Sequence, residues 1–170
     1  MKVPGVQIDL DPITGGPKNI TAPGRFLKAA GKKVGDAYEP VREFVDENRE
    51  LFGHSSSALA TGNARVTRED VTAHNGMRTV VWQQELDGIP LFQSILRASL
   101  TKNGDIITLG ESFVSDPSSA AKLSSAQRTS LIAQPTVSAS KAVTLAAADI
   151  GAIVDESTVT AQGAEEGTER

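Results

Sequence analysis

The 170-residue chain contains no cysteine, which excludes disulfides and thiolate-ligated metal or redox sites but fits either side of a membrane and leaves the compartment open. Aromatic residues are scarce. One Trp, one Tyr and five Phe make up 4% of the chain, and with 39% apolar content this allows one modest core. Only two histidines occur, His54 on a predicted loop and His74 near a turn, too far apart for an HExxH zinc motif. Solvent-exposed polar residues are the reading that outweighs a metal site. No GxSxG elbow surrounds any serine, and no lysine-hydroxyl spacing follows Gly15-Gly16 or Gly31, so neither acyl transfer nor a phosphate cradle has local support. No apolar run approaches the roughly 18 residues of a membrane span, and VPGVQIDLDP after Met1-Lys2 is not the apolar core of a signal peptide. A net charge of −4 argues against a nucleic-acid partner, and the small cluster Lys28, Lys32 and Lys33 reads as solvated. No catalytic, cofactor-binding or metal-ligating residue is assigned.

What the sequence does hold is a pair of consecutive hairpins over residues 79–114. Asn103-Gly104 predicts a two-residue type I′ turn, because both central positions of that turn need positive φ. Lys102 then faces Asp105, with Leu100 opposite Ile107, Ala98 opposite Leu109 and Ser94 opposite Phe113, so apolar residues gather on one face. Asp87-Gly88 fits less simply. A bulged three-residue connection, with Gly88 near the left-handed region, sets Val80 and Trp82 opposite Leu96 and Ser94, on the face that also carries Phe92. Pro90 lacks an N–H and belongs at a strand start or an edge. Trp82 and Phe92 read as core rather than pocket, with Gln83 and Glu85 alternating outward.

Around the hairpins the chain divides into four stretches. Residues 1–35 carry four prolines and six glycines without a period, and read as an extended leader that lies along the domain or is disordered. Residues 36–116 form the main domain. In it, 36–52 has helical spacing at Ala37, Val41, Phe44, Val45, Leu51 and Phe52, with Gly53 as its stop and a regular start at Glu39 beside Pro40. A polar loop follows, then strands at 65–73, 78–86, 90–101 and 105–114. Residues 117–136 are a small-residue connector with a loose helical turn near 126–132. Residues 137–170 hold a second helix, N-capped by Ser138 and stopped by Gly151, then a short strand candidate and an acidic tail. The expected fold is α+β: an amphipathic helix packed on a three- to four-stranded antiparallel meander, with a second C-terminal helix.

This order of helix, polar loop, strand and RTVVWQQELDGIPLFQSILRASLTKNGDIITLGESFV resembles the fungalysin/thermolysin propeptide (FTP) domain, the N-terminal pro-region module of secreted zinc metallopeptidases. Trp82-Gln83-Gln84 is similar to that family's apolar residue followed by a glutamine-containing strand end. Asp87-Gly88-Ile89-Pro90-Leu91-Phe92 is similar to its Gly-apolar-Pro-apolar-Phe turn, and Asn103-Gly104 with Ile106 to its polar-Gly hairpin. PGRFLKAAG at 23–31 and the first helix lie where the fungalysin-like branch places its leader and helix. VSASKAVTLAAADIG looks like the opening helix of the PepSY-like module that follows in such pro-regions.

The resemblance implies a non-catalytic, secreted module without cofactors, whose partner is the metallopeptidase catalytic domain of the same precursor. It assists folding of that domain and inhibits it until cleaved away. Trp82, Gln84, Gly88, Pro90, Phe92, Asn103 and Gly104 are the family-motif positions, expected mostly to shape the fold rather than touch the zinc. Neither a peptidase domain nor a complete PepSY-like sheet lies within these 170 residues. The alternative is a stand-alone binding or scaffolding domain of a larger extracellular protein.

Overall fold

The computed structural model describes residues 3–31 and 36–160, in two compact units that divide between Lys122 and Leu123. The first is built on a six-stranded antiparallel sheet: β1 (Gln7–Leu10), β2 (Pro17–Thr21), β3 (Ala64–Val71), β4 (Arg78–Leu86), β5 (Ile89–Leu100) and β6 (Ile106–Glu111). Their spatial order is β1-β2-β6-β5-β4-β3. Strands β3 to β6 are the meander, and the β1–β2 hairpin extends it along the free edge of β6, with Ile20 opposite Leu109 and Thr21 opposite Thr108.

The expected three- to four-stranded sheet with one packed helix is therefore corrected to six strands, with five α-helices among the described residues. The two added strands come from the stretch read as an extended leader. They are four and five residues long, too short to show a period, and turn chemistry joins them. Asp11 accepts the Ile13 and Thr14 N–H groups at 2.8 and 2.9 Å, and Pro17 sits at the start of β2.

One face of the sheet is covered. Helix α1 (Glu39–Glu47) lays Val41, Phe44 and Val45 on it, and α2 (Arg49–Phe52), separated from α1 by a break at Asn48, adds Phe52. Pro40 stands in the first turn, where its missing N–H costs nothing, and Gly53 ends α2 in the left-handed conformation. Tyr38 meets Trp82 edge to face, with ring centroids 5.3 Å apart. Leu27 completes the layer. Its segment pairs with the start of β6 through Leu27 N–H to Ile106 carbonyl and Ile106 N–H to Lys28 carbonyl, both 2.8 Å. Lys28 is not simply solvated. It is mostly buried and pairs with Glu43 at 3.0 Å and with Glu47, while Lys32 and Lys33 lie outside the described residues.

Both hairpin turns differ from expectation, and they exchange types. Asp87 (φ 53°) and Gly88 (φ 79°) form the tight two-residue turn, with Leu86 opposite Ile89. At the second turn only Gly104 has positive φ. Thr101 and Asp105 close a three-residue loop over Lys102, Asn103 and Gly104, and Leu100 pairs with Ile106 rather than Ile107. The Asp105 carboxylate decides this: it accepts the Thr101 hydroxyl at 2.6 Å and the Ala30 N–H at 2.8 Å, tying the loop to the 27–30 segment.

In the second unit, α4 (Ser125–Ala133) is a regular helix where a loose turn was expected, because Ser124 and Gln127 form a reciprocal capping box. Helix α5 (Ala139–Asp149) starts at the Ser138 cap. The strand candidate after it is instead a 3-10 turn at Glu156–Thr158, and the acidic tail at 161–170 lies outside the described residues. A short α3 (Pro117–Ala120) precedes the division between the units. No described residue of the second unit is buried.

Candidate functional site

Strand alternation places Val80, Trp82 and Gln84 of β4 on the covered face, together with Ser94, Leu96 and Ala98 of β5 and Leu109 and Glu111 of β6. Two of these positions are occupied by groups that bury badly alone, an amide and a carboxylate. Each is fully partnered. The Gln84 amide donates to the Val114 carbonyl at 2.8 Å, and its oxygen accepts the Ser94 hydroxyl at 2.6 Å and the Val114 N–H at 2.9 Å. Gln84 thus takes the place of ladder bonds where β6 ends.

Glu111 pairs with His54. The side chains are 0% and 6% exposed, and Nε2 lies 3.0 and 2.9 Å from the two carboxylate oxygens. Nδ1 stands 2.9 Å from the Ser55 carbonyl, which can only accept, so Nδ1 carries a hydrogen. A neutral ring would then turn a bare lone pair toward the carboxylate, so the geometry requires one further proton between Nε2 and Glu111. Burial alone would lower the His54 pKa, but the bond to Glu111 and its charge more than offset this and raise it. Burial raises Glu111, partly countered by His54. The rings of Phe52 and Phe113 flank the imidazole at 6.0 and 5.7 Å. The reading of His54 as exposed is corrected, whereas His74 is exposed. A signal was present: Glu111 falls at the same alternation as Leu109 and Phe113, and an acid there needs a buried cation.

The uncovered face holds the other half of the alternation, with Thr79, Val81 and Gln83 on β4, Ile95, Arg97 and Ser99 on β5, and Thr108 on β6; Val81 is buried and the others are half-buried or exposed. Gly110 belongs to this row for a packing reason. A Cβ built there would stand 2.2 Å from the Lys18 carbonyl oxygen, so only glycine lets β2 approach.

At one end of this face the register slips by three residues between Gln83 and Glu85, leaving residues 91–93 of β5 looped out, with Gln93 at φ 55°. Gln83 clamps the bulge through its amide, which donates to the Leu91 carbonyl at 2.7 Å and to the Ser94 carbonyl at 3.0 Å. The Ser112 hydroxyl adds a bond to the Gln93 carbonyl. Phe92, expected in the core beside Trp82, is consequently 90% exposed, while Trp82 is 2% exposed. Pro90 lies exposed opposite Glu85, Ile89 is half-exposed, and Gly88 forms the tip. Asn103 and Gly104 lie at the opposite end of β5, where they border a cleft of about 470 Å³ with Pro40 and Glu43 of α1.

Among the described residues no three His, Asp or Glu side chains gather as a metal site would require, and no helix is long and apolar enough to cross a membrane. Comparison of the chain with protein-family models, with curated proteins and with solved structures finds no match in any of the three.

Proposed function

We propose that this chain is a non-catalytic pro-region module that serves as intramolecular chaperone and inhibitor of a secreted zinc metallopeptidase carried on the same precursor. The observation that carries the reading is the clamped bulge of β5. Three backbone carbonyls are tied down around the exposed Phe92, which holds its ring out in one orientation, and aromatic side chains are among the residues that anchor interfaces. A preformed aromatic anchor at the rim of an uncovered sheet face suits docking, because little ordering entropy remains to be lost on binding. A partner linked in the same chain would meet that surface at high effective concentration until cleavage separates the two. The motif similarity around Asp87-Gly88 and Asn103-Gly104 supports the same reading.

The test has two parts. The reading frame beyond Arg170 is expected to encode an HExxH segment, and its absence removes the proposal. The purified chain, added during refolding of that peptidase domain, is expected to raise the yield of folded enzyme and to lower its activity. Phe92→Ala should weaken both effects while leaving the chain folded. If the unmodified chain changes neither yield nor activity, it is not a chaperone or inhibitor.

A further inference from the structure

The sheet carries four arginines, and three of them are neutralised by a neighbour. Arg65 pairs with Glu85 at 2.6 Å, Arg68 with Asp70, and Arg78 with Glu69 at 3.2 Å. Arg97 is different. It stands exposed in the middle of β5, on the uncovered face, opposite Val81 on one side and Gly110 on the other, and among the described residues no carboxylate reaches it. Neither cross-strand neighbour is polar, so the guanidinium crosses neither a salt bridge nor a side-chain amide.

Arg97 borders a cleft of about 390 Å³ on this face, whose walls include Lys18, Asn19, Gln93, Thr108 and Ser112. All of these can donate hydrogen bonds. The acid on the wall, Asp11, already spends its Oδ1 on the Ile13 and Thr14 N–H groups, and its charge sits beside Lys18. Glu111 underlies the cleft but points its carboxylate into the core toward His54. Lys18 and Asp11 offset one another, and Asp9, opposite Asn19, lies in the same cross-strand row as Arg97 but makes no ion pair with it, so Arg97 is the cleft's unanswered charge.

We infer that this cleft is the docking site for an acidic segment of a partner protein, with a Glu or Asp carboxylate received by the fork of Arg97. A guanidinium offers parallel N–H donors that match a carboxylate, and the surrounding amides and hydroxyls supply donors for the remaining lone pairs. Gln93 joins the cleft to the Phe92 bulge, so an acidic residue beside an apolar one would fill both. The inference takes the uncovered face as the partner surface, as the proposed function does, but it does not depend on the partner being a peptidase.

The test uses the full chain and a fluorescently labelled deca-glutamate peptide, with deca-serine as the neutral control, followed by anisotropy at low salt. An acidic protein repels a polyanion in general, so capture must be local. Deca-glutamate is expected to bind and deca-serine not. Arg97→Glu should weaken binding at least tenfold, Arg97→Lys less, and Arg49→Glu, on the exposed side of α2, hardly at all. Absence of binding by the unmodified chain overturns the inference, as does equal loss in the Arg97 and Arg49 variants. Circular dichroism of each variant identifies any loss that comes from unfolding, and in that case an unfolded Arg97→Glu yields to Arg97→Ser for the decision. Because no peptidase is present, a negative result here leaves the refolding experiment to decide the proposed function separately.

Discussion

The two faces of β5 and β6 are made from alternate residues of the same strands, yet they treat polar groups in opposite ways. On the covered face Glu111, Gln84 and Ser94 have every polar atom engaged inside the molecule, and among the described residues no buried side-chain nitrogen or oxygen lacks a partner. On the uncovered face the Arg97 side chain has no partner among the described residues, and Phe92 projects from the rim with its ring in water. The difference separates groups that the fold consumes from groups that it presents. A buried carboxylate is tolerated only when its charge is answered at once, whereas an exposed guanidinium costs little and can wait for a partner.

The sharpest way to break this contrast is to leave one buried charge alone. Glu111→Ala should destabilise the first unit by about 3–5 kcal/mol, read as a lower urea midpoint at unchanged slope, since His54 then loses its counter-charge in an apolar surround. Gly110→Ala should also be severe, because the β2 backbone blocks the new methyl group. The expected readout is faster hydrogen exchange in β1 and β2, with β4 and β5 less affected.

The same pair sets a pH dependence. His54 has a raised folded pKa, so its contribution is complete below the ordinary histidine value of about 6.5 and is lost as the pH rises through the folded value. Glu111, also raised, acts in the same sense, because the folded state holds protons more readily than the unfolded chain. Stability should therefore increase as the pH is lowered toward the ordinary histidine value of about 6.5, and the trend should vanish in a His54→Phe/Glu111→Leu double variant. Asp46 and Asp105, whose values are lowered chiefly by bonds from Ser56 and Thr101, oppose this only at acid pH, where they lose their contribution as the pH falls through their folded values.

Gln84→Ala should cost about 1–3 kcal/mol, from the stranded Val114 N–H and carbonyl. At the far end of the scale, Phe92→Ala and Arg97→Ser should each change stability by no more than about 0.5 kcal/mol, because neither side chain is buried. A large loss in either would mean that this face is structural after all.

Much of the meander was legible. Helical spacing located α1 and α2, and alternation located β3 to β6 to within a few residues. Turn chemistry was read correctly as turns but not as types. Asn103-Gly104 carries a strong type I′ preference, yet Asp105 draws it into a longer loop by reaching Thr101 and Ala30. Asp87-Gly88 takes the tight form instead, since the mismatch in strand lengths is absorbed further along, at the bulge. The Phe92 error follows from that one displacement, because a register slip sends each side chain beyond it to a new direction. The motif positions Trp82, Gln84, Gly88 and Pro90 fall within this same hairpin, and none of them marks the bulge that turns Phe92 outward.

By itself the sequence determined what depends on neighbours in the chain: which segments alternate, where φ must turn positive, and where a helix can start and stop. Tertiary structure alone decided that the β1–β2 hairpin joins β6, that His54 faces Glu111, and that no acid among the described residues pairs with Arg97. Those are pairings between segments remote in sequence, and their energies arise only when burial removes water from between them.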